Sequence, residues 1–440
     1  MDSLIYALGV VVFFVGLMAS IALHEVGHMW PAKKFDVKVT EYFVGFGRRI
    51  WSFRRGETEY GIKAIPLGGY VKLVGMLPPA KDAPVETGDA NHPTRVRSSN
   101  TGMFTQLVAD ARASEYELVR PGDEDRLFYR KPWWQKLIIM VGGPMMNVLI
   151  ACFLFGILIM GIGVATPSTT VDTVSDCVIS AAEEGRECAA GDPVAPAAEA
   201  GLRPGDVITS FNGTPIDDWD QLTELIRDND AGVAVIGYER GGEPHEVTTN
   251  TLISSRAVVD DPEEFVDVGF LGVAPTTPDE RHGPVTVVTT MGSLIKATGV
   301  AIADMPARMV GVAQAAFGGE RESDSPMSVV GASRVAGELA SADESSWKHR
   351  ISNVIGLLAA VNLFIAVFNF IPLLPLDGGH IVGALYEAIR RGIAKLRGRP
   401  DPGYVDVAKL LPLAYAFGLV LVLMGVLLVY ADLVNPVRLQ

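Results

Sequence analysis

The sequence predicts a polytopic α-helical membrane protein with four transmembrane helices and one small α+β domain outside the bilayer. Three observations carry that expectation: four long apolar blocks, an alternation of basic and acidic segments between them, and one polar segment with both strand and helix periodicity. At 440 residues the chain exceeds a typical single domain, and 49% of it is hydrophobic against 20% charged.

The apolar blocks cover residues 4–23, 137–164, 351–374 and 410–429. Each reaches the roughly 20 residues that a helix needs to cross about 30 Å of hydrocarbon. The first has no basic stretch before it and no small-x-small site after it, so it reads as a retained span and not a cleaved signal peptide. Residues 31–136 carry 18 Lys and Arg, and Arg390, Arg391, Lys395, Arg397, Arg399 and Lys409 follow the third block. Both segments should face the cytoplasm by the positive-inside rule. Residues 165–350 hold 31 acidic against 12 basic side chains, which accounts for the net charge of −14. That segment should lie outside, and its acidity argues against nucleic acid as a partner. The expected location is a cell inner or plasma membrane crossed several times.

Each element follows in order. Residues 1–76 hold the first span and a β-rich segment, in which 59–65 and 70–74 alternate like strands, with turns at Gly45, Gly47, Gly56, Gly68 and Gly69. Residues 77–136 form a cytoplasmic loop, patternless to residue 130, and His92 there is a solvated loop residue. Residues 137–164 are the second span. Residues 165–275 make the outer domain: a turn and strand at 201–208, helical spacing at 219–226, and strands at 233–238 and 246–248. Residues 276–350 are amphipathic helices, with Leu294, Val300, Met305, Met309 and Val312 at helical spacing; they lie on the membrane surface or pack on the outer domain. The third span occupies 351–380, a second cytoplasmic loop 381–409, and the fourth span 410–440. Of three cysteines, Cys152 falls in the second span as a small buried thiol, while Cys177 and Cys188 share the oxidising side and can close a short disulfide loop. Two thiolates are only half a structural zinc site.

The chemistry concentrates at His24-Glu25-Val26-Gly27-His28. On a helix, the two imidazoles of H-E-x-x-H stand one turn apart and can reach one Zn²⁺, and the glutamate can take a proton from a water on that metal. Three ionisable groups at the end of a span are costly unless paired or metal-bound. A third ligand is needed, and Asp377 offers a carboxylate on the same membrane side, in Leu376-Asp377-Gly378-Gly379-His380. The bland alternative makes Asp377 a turn residue beside two glycines, and His380 is a weaker rival ligand.

His24-Glu25-x-x-His28 in the first span, with Asn369-x-x-Pro372 and Leu376-Asp377-Gly378 in the third and a PDZ-like domain between the second and third, resembles the bacterial site-2 protease family of intramembrane metalloproteases. The resemblance covers nearly the whole chain. It implies that His24, His28 and Asp377 bind Zn²⁺ and that Glu25 activates water. Gly45-Phe46-Gly47 and Pro66-Leu67-Gly68-Gly69-Tyr70 resemble the family's membrane-associated β-hairpin, Asn369 and Pro372 its substrate-holding segment, and residues 142–147 its second-span motif. Implied substrates are single-span membrane proteins such as anti-sigma factors already trimmed outside by another protease, together with remnant signal peptides. The chain departs from some relatives in having one PDZ-like segment and a long 77–130 loop, and its Cys177/Cys188 pair resembles actinobacterial members.

Two other classes of function stay in view. A non-catalytic membrane receptor or adaptor using the PDZ-like domain would have no need of Glu25 and Asp377 at membrane depth. A metal transporter would line several spans with polar groups, which the second and fourth blocks largely lack. Within the protease reading, the PDZ-like domain is a size filter or a receptor for new C-termini, with amides near Gly201 and Leu202 as a carboxylate cradle.

Overall fold

The computed structural model describes residues 2–79, 85–86, 95–96, 103–180, 186–258, 261–319, 321, 325–342 and 346–437; His92 lies outside them. The chain divides into unit 1, residues 1–161 and 282–440, and unit 2, residues 162–281.

Unit 1 opens with α1 (Asp2–Lys34), an apolar run that ends where Asp36 takes a positive φ. Next come β1 (Val39–Arg55) and β2 (Thr58–Leu73), antiparallel. Sequence reasoning placed turns at five glycines here. Only Gly56 sits in the connecting turn; Gly45, Gly47 and Gly68 take positive φ inside long strands and bend them. Residues 41–44 of β1 therefore pair on one side with 69–72 and on the other with 59–62, which pair in turn with 51–54. Two bent strands thus build four rows.

The segment expected to be a patternless loop carries order. After the short ladder β3 (Val85–Glu86) with β4 (Arg95–Val96) comes α2 (Met103–Tyr116), and Tyr116, Val119, Leu127 and Tyr129 bury themselves with Val74. Apolar residues at 107, 108, 111 and 116 were the helical signal among the polar ones. Then α3 (Trp133–Gly156) runs into a π-helical turn at Ile157–Ile162.

Unit 2 contains β5 (Val164–Ala165), β6 (Val171–Val174), α4 (Pro196–Glu199), β7 (Val207–Phe211), β8 (Thr214–Pro215), α5 (Trp219–Asp228), β9 (Val233–Arg240), β10 (Glu243–Asn250), β11 (Leu252–Val258), β12 (Asp261–Phe270), β13 (Val273–Pro275) and β14 (Asp279–Glu280). A four-stranded sheet has the order β10-β9-β7-β8. α5 starts at Asp218, whose side chain accepts from the Gln221 amide, and buries Leu222 and Ile226 among Val171, Ile208, Phe211, Ile236 and Leu271. Cys177 and Cys188 are joined by a disulfide. β14 pairs with β5, so the unit's two ends lie side by side.

Unit 1 resumes with α6 (Pro284–Ala303), α7 (Met305–Ala316), α8 (Val329–Ser341), α9 (Trp347–Asn369), α10 (Asp377–Leu396) and α11 (Leu411–Val434). The third span was expected to run to residue 380 and a loop to follow. Instead α9 stops at Asn369, residues 370–376 turn, and a separate helix α10 begins at Asp377 and fills most of 381–409. Among the described residues, five helices are long and apolar enough to cross a membrane: the four expected, and α6 from the segment read as amphipathic surface helices.

Contacts set the helices' directions. Leu158, in the π-helical turn that continues α3, faces Gly356 of α9, and Asn147 bonds Asn362, so α3 and α9 are antiparallel. α1 meets α8 at Gly9, α9 at Gly16 and α3 at Gly27, so it runs alongside α9. At the α1–α3 crossing, a Cβ on Gly27 would strike the Gly142 carbonyl and a Cβ on Gly142 the Gly27 carbonyl. Glycine is what lets these two backbones touch.

Candidate metal centre

α1 presents His24 and His28 on one face, both buried, with Gly27 between them at the α3 crossing. The turn at 370–376 delivers Asp377 to the same point. That turn needs its glycines: a Cβ on Gly378 would strike the Ile371 carbonyl, and one on Gly379 would sit 2.6 Å from the Leu374 nitrogen.

His24 Nε2 and His28 Nε2 are 3.2 Å apart, and Asp377 Oδ2 is 3.3 Å from the first and 3.2 Å from the second. Among the described residues this is the one group of three or more His, Cys, Asp or Glu placed to share an ion. The protons on this triangle follow from its neighbours. The Leu358 carbonyl can only accept, so Asn362 Nδ2 donates to it at 2.8 Å and turns its Oδ1 to Asn147 Nδ2 at 3.1 Å. Asn147 Oδ1 therefore faces His24 Nδ1, 2.6 Å away, and must accept from it. His28 Nδ1 likewise donates to the Ile139 carbonyl at 2.8 Å. Both Nε2 atoms are left with bare lone pairs pointing at each other, and no hydrogen bond can join them. Asp377 Oδ2 is buried and has no hydrogen-bond partner.

Three electron-pair donors about 3.2 Å apart, with no proton between them, suit a small cation. A tetrahedral zinc with ligands at about 2.0–2.1 Å sets them roughly 3.3 Å apart. The pocket is also kept open, because a Cβ on Gly143 would lie against His28 Nε2.

Glu25 is half-buried, and a Cβ on Gly69 would stand 3.2 Å from its Cγ. The β2 row at 69–73 thus passes alongside Glu25. Tyr42 donates to the Ala22 carbonyl at 2.8 Å and ties the sheet to α1. Burial and then the nearby Glu25 charge push its phenol up to about 12, so it stays a neutral donor. Tyr70 lies between Lys63 Nζ, 2.8 Å away, and Glu41, to which its hydroxyl donates.

The other expected residues lie apart from the triangle. Gly45 and Gly47 bend β1, and Gly68 faces the Phe46 ring. Asn369 ends α9 and spends its amide on the Ile365 carbonyl, and Pro372 is exposed in the turn that leads to Asp377. His380 is outside the cluster and meets the Phe128 ring edge-on. Asn362 and the Ile139 carbonyl escaped sequence reasoning. A fully buried Asn inside an apolar span was the available signal for the first; nothing signals a backbone carbonyl.

A sequence profile of peptidase family M50 matches residues 12–412. The chain is 33% identical to the zinc metalloprotease Rip1 of Mycobacterium tuberculosis, over 99% of this chain and 100% of that one. It is 32% identical to the zinc metalloprotease Rip1 of Mycolicibacterium smegmatis, over 98% and 99%.

Proposed function

The chain belongs to peptidase family M50, the site-2 proteases, as a membrane-embedded zinc metalloendopeptidase, and from that premise we propose that it cuts the transmembrane segments of single-span proteins. The observation that carries this reading is the Nε2, Nε2, Oδ2 triangle of His24, His28 and Asp377, set among apolar helices. These three residues hold the zinc. When bound, zinc supplies a Lewis acid for the scissile carbonyl and a water acidic enough to attack at neutral pH. Glu25, one residue from His24 and beside Gly69, would serve as the general base that takes a proton from the attacking water and returns it to the leaving amide nitrogen.

A substrate helix has its amides paired internally and must be unwound before a carbonyl is exposed. The β2 row at 69–73 has an unpaired outer edge among the described residues and passes Glu25, so it can take up the unwound segment as an added strand. Gly45, Gly47, Gly68 and Tyr70 shape and brace that sheet. Asn369, at the end of α9 with its side-chain oxygen left to accept, and Pro372, in the turn before Asp377, hold the substrate.

We place four spans at α1, α3, α9 and α11. Because α3 and α9 are antiparallel, α9 begins on the side where α3 ends. A crossing by α6 would then need a return, and α7 and α8, with 12 and 13 residues, are too short to provide one. α6 therefore stays on the outer side, and the bent sheet and α10 lie on the cytoplasmic side, as the basic residues there favour.

Unit 2 acts as a PDZ-like filter that keeps uncut outer domains from the site. Its cleft of about 390 Å³ lies between α5 and residues 269–275, lined by Trp219, Arg227, Arg256 and Phe270, and not at Gly201–Leu202. Substrates are anti-sigma-factor-like proteins already trimmed outside, and remnant signal peptides. The test is zinc content and cleavage of a model single-span substrate. Glu25→Gln should keep zinc and lose cleavage, and Asp377→Ala should lose zinc; wild-type cleavage by both sinks the assignment. Removing residues 190–273 should admit untrimmed substrates if unit 2 filters, and abolish cleavage if it recruits.

A further inference from the structure

α10 is two-faced. Val382, Leu385, Tyr386, Ile389, Ile393 and Leu396 are between 41% and 88% exposed. At 100° per residue they fall within an arc of about 100°. The opposite face buries Ile381, Ala384 and Glu387, and Glu387 takes an ion pair at 2.7 Å from Lys136, in the first turn of α3.

These contacts fix the depth at which each part of α10 sits. Asp377 stands beside His28 Nε2, which lies against Gly143, ten residues into α3. Ten residues on, about 15 Å of helix, Glu387 is level with the start of α3. Nine more residues, about 14 Å, carry α10 past that boundary. Its first half therefore lies at the depth of a span and its second half emerges. Lys395, Arg397 and Arg399 cluster at the emerging end, exposed and with no carboxylate partner among the described residues.

We propose that α10 is a lipid-facing helix whose apolar stripe rests on acyl chains and whose Lys395, Arg397 and Arg399 grip anionic headgroups, and that this grip holds Asp377 against His24 and His28. Lipid is the occupant because the first half of the stripe lies at the depth of apolar helices long enough to cross a membrane, and because the free cations complement acidic headgroups. The second half of the proposal rests on reading Asp377 as a zinc ligand.

Docking is tested with the full chain carrying Cys152→Ser and Ile389→Cys, labelled with bimane, in phosphatidylcholine vesicles with brominated acyl chains. Strong quenching is expected. An unquenched label, or cross-linking of Ile389→Cys between two copies, overturns the docking. The grip is tested by zinc retention against a chelator in phosphatidylcholine alone and with phosphatidylglycerol added. Wild type should retain zinc several-fold longer with the anionic lipid, and high salt should erase the gain. Each cation neutralised should weaken lipid binding on the order of fivefold. The triple variant Lys395→Gln, Arg397→Gln, Arg399→Gln should then retain zinc equally in both vesicles. Equal retention by wild type, or an undiminished gain in the variant, overturns the grip. Quenching and retention as expected without cleavage of any substrate would sink the protease reading and leave this one standing.

Discussion

A Cβ at residue 143 would occupy the space that an ion on His28 Nε2 needs. Gly143→Ala is therefore expected to weaken zinc binding at least tenfold while the spans still form, measured by metal content after dialysis against a chelator. Asn362 acts at one remove. Through Asn147 it fixes which nitrogen of His24 carries the proton, so Asn362→Ala frees Asn147 to turn its amide toward the imidazole. About a 10–100-fold loss of zinc affinity is expected, with circular dichroism unchanged. Undiminished zinc affinity would show that His24 keeps its tautomer by other means. The histidines, Glu25 and Asp377 were legible because their chemistry is written in side-chain types at fixed spacing. Asn362 is one polar letter in an apolar run, and its meaning arises only where α9 meets α3.

At the scale of elements, α10 is docked on α3 through a buried ion pair. Glu387 meets Lys136 at 2.7 Å and Arg391 at 3.1 Å, with Lys136 and Glu387 almost wholly out of solvent. Glu387→Gln leaves a buried ammonium uncompensated and is expected to cost about 3–5 kcal/mol, read from unfolding in mixed micelles. The paired change Lys136→Met with Glu387→Leu should recover most of that loss, since two apolar groups replace two desolvated charges. The spans were plain in the sequence as apolar runs. The break at 370–376 was only half plain: Pro372, Pro375 and the two glycines mark a turn, but Leu373, Leu374 and Leu376 carry the apolar pattern through it and hide the new helix beyond. The bends of β1 and β2 were hidden for a related reason: glycine permits a positive φ as readily within a strand as between two strands.

Across the whole molecule the two units answer to different conditions. In unit 2 the buried Asp206 carboxylate accepts from Arg240 Nε at 2.7 Å and Nη2 at 2.8 Å, and from the Arg203 amide at 2.7 Å. The Arg240 hydrogen bond holds it below the usual carboxylate range. An Asp with a depressed folded pKa stabilises above its unfolded value, near 4, and loses that stability as pH falls through the folded one. Unit 2 should therefore loosen below about pH 4, seen as faster amide exchange in β7 and β9. Arg240→Met should flatten that dependence; an unchanged profile would assign it to other carboxylates.

His24 and Asp377 meet in space although more than 350 residues of chain lie between them. During synthesis, the H-E-x-x-H helix enters the bilayer long before its third partner has been translated. A half-made chain carries two imidazoles and a glutamate but has no closed pocket to hold an ion in place. The enzyme is thus born harmless: its metal pocket closes only once residue 377 has been made. A stop codon anywhere before residue 377 is expected to yield an inert membrane protein, in place of an unregulated protease.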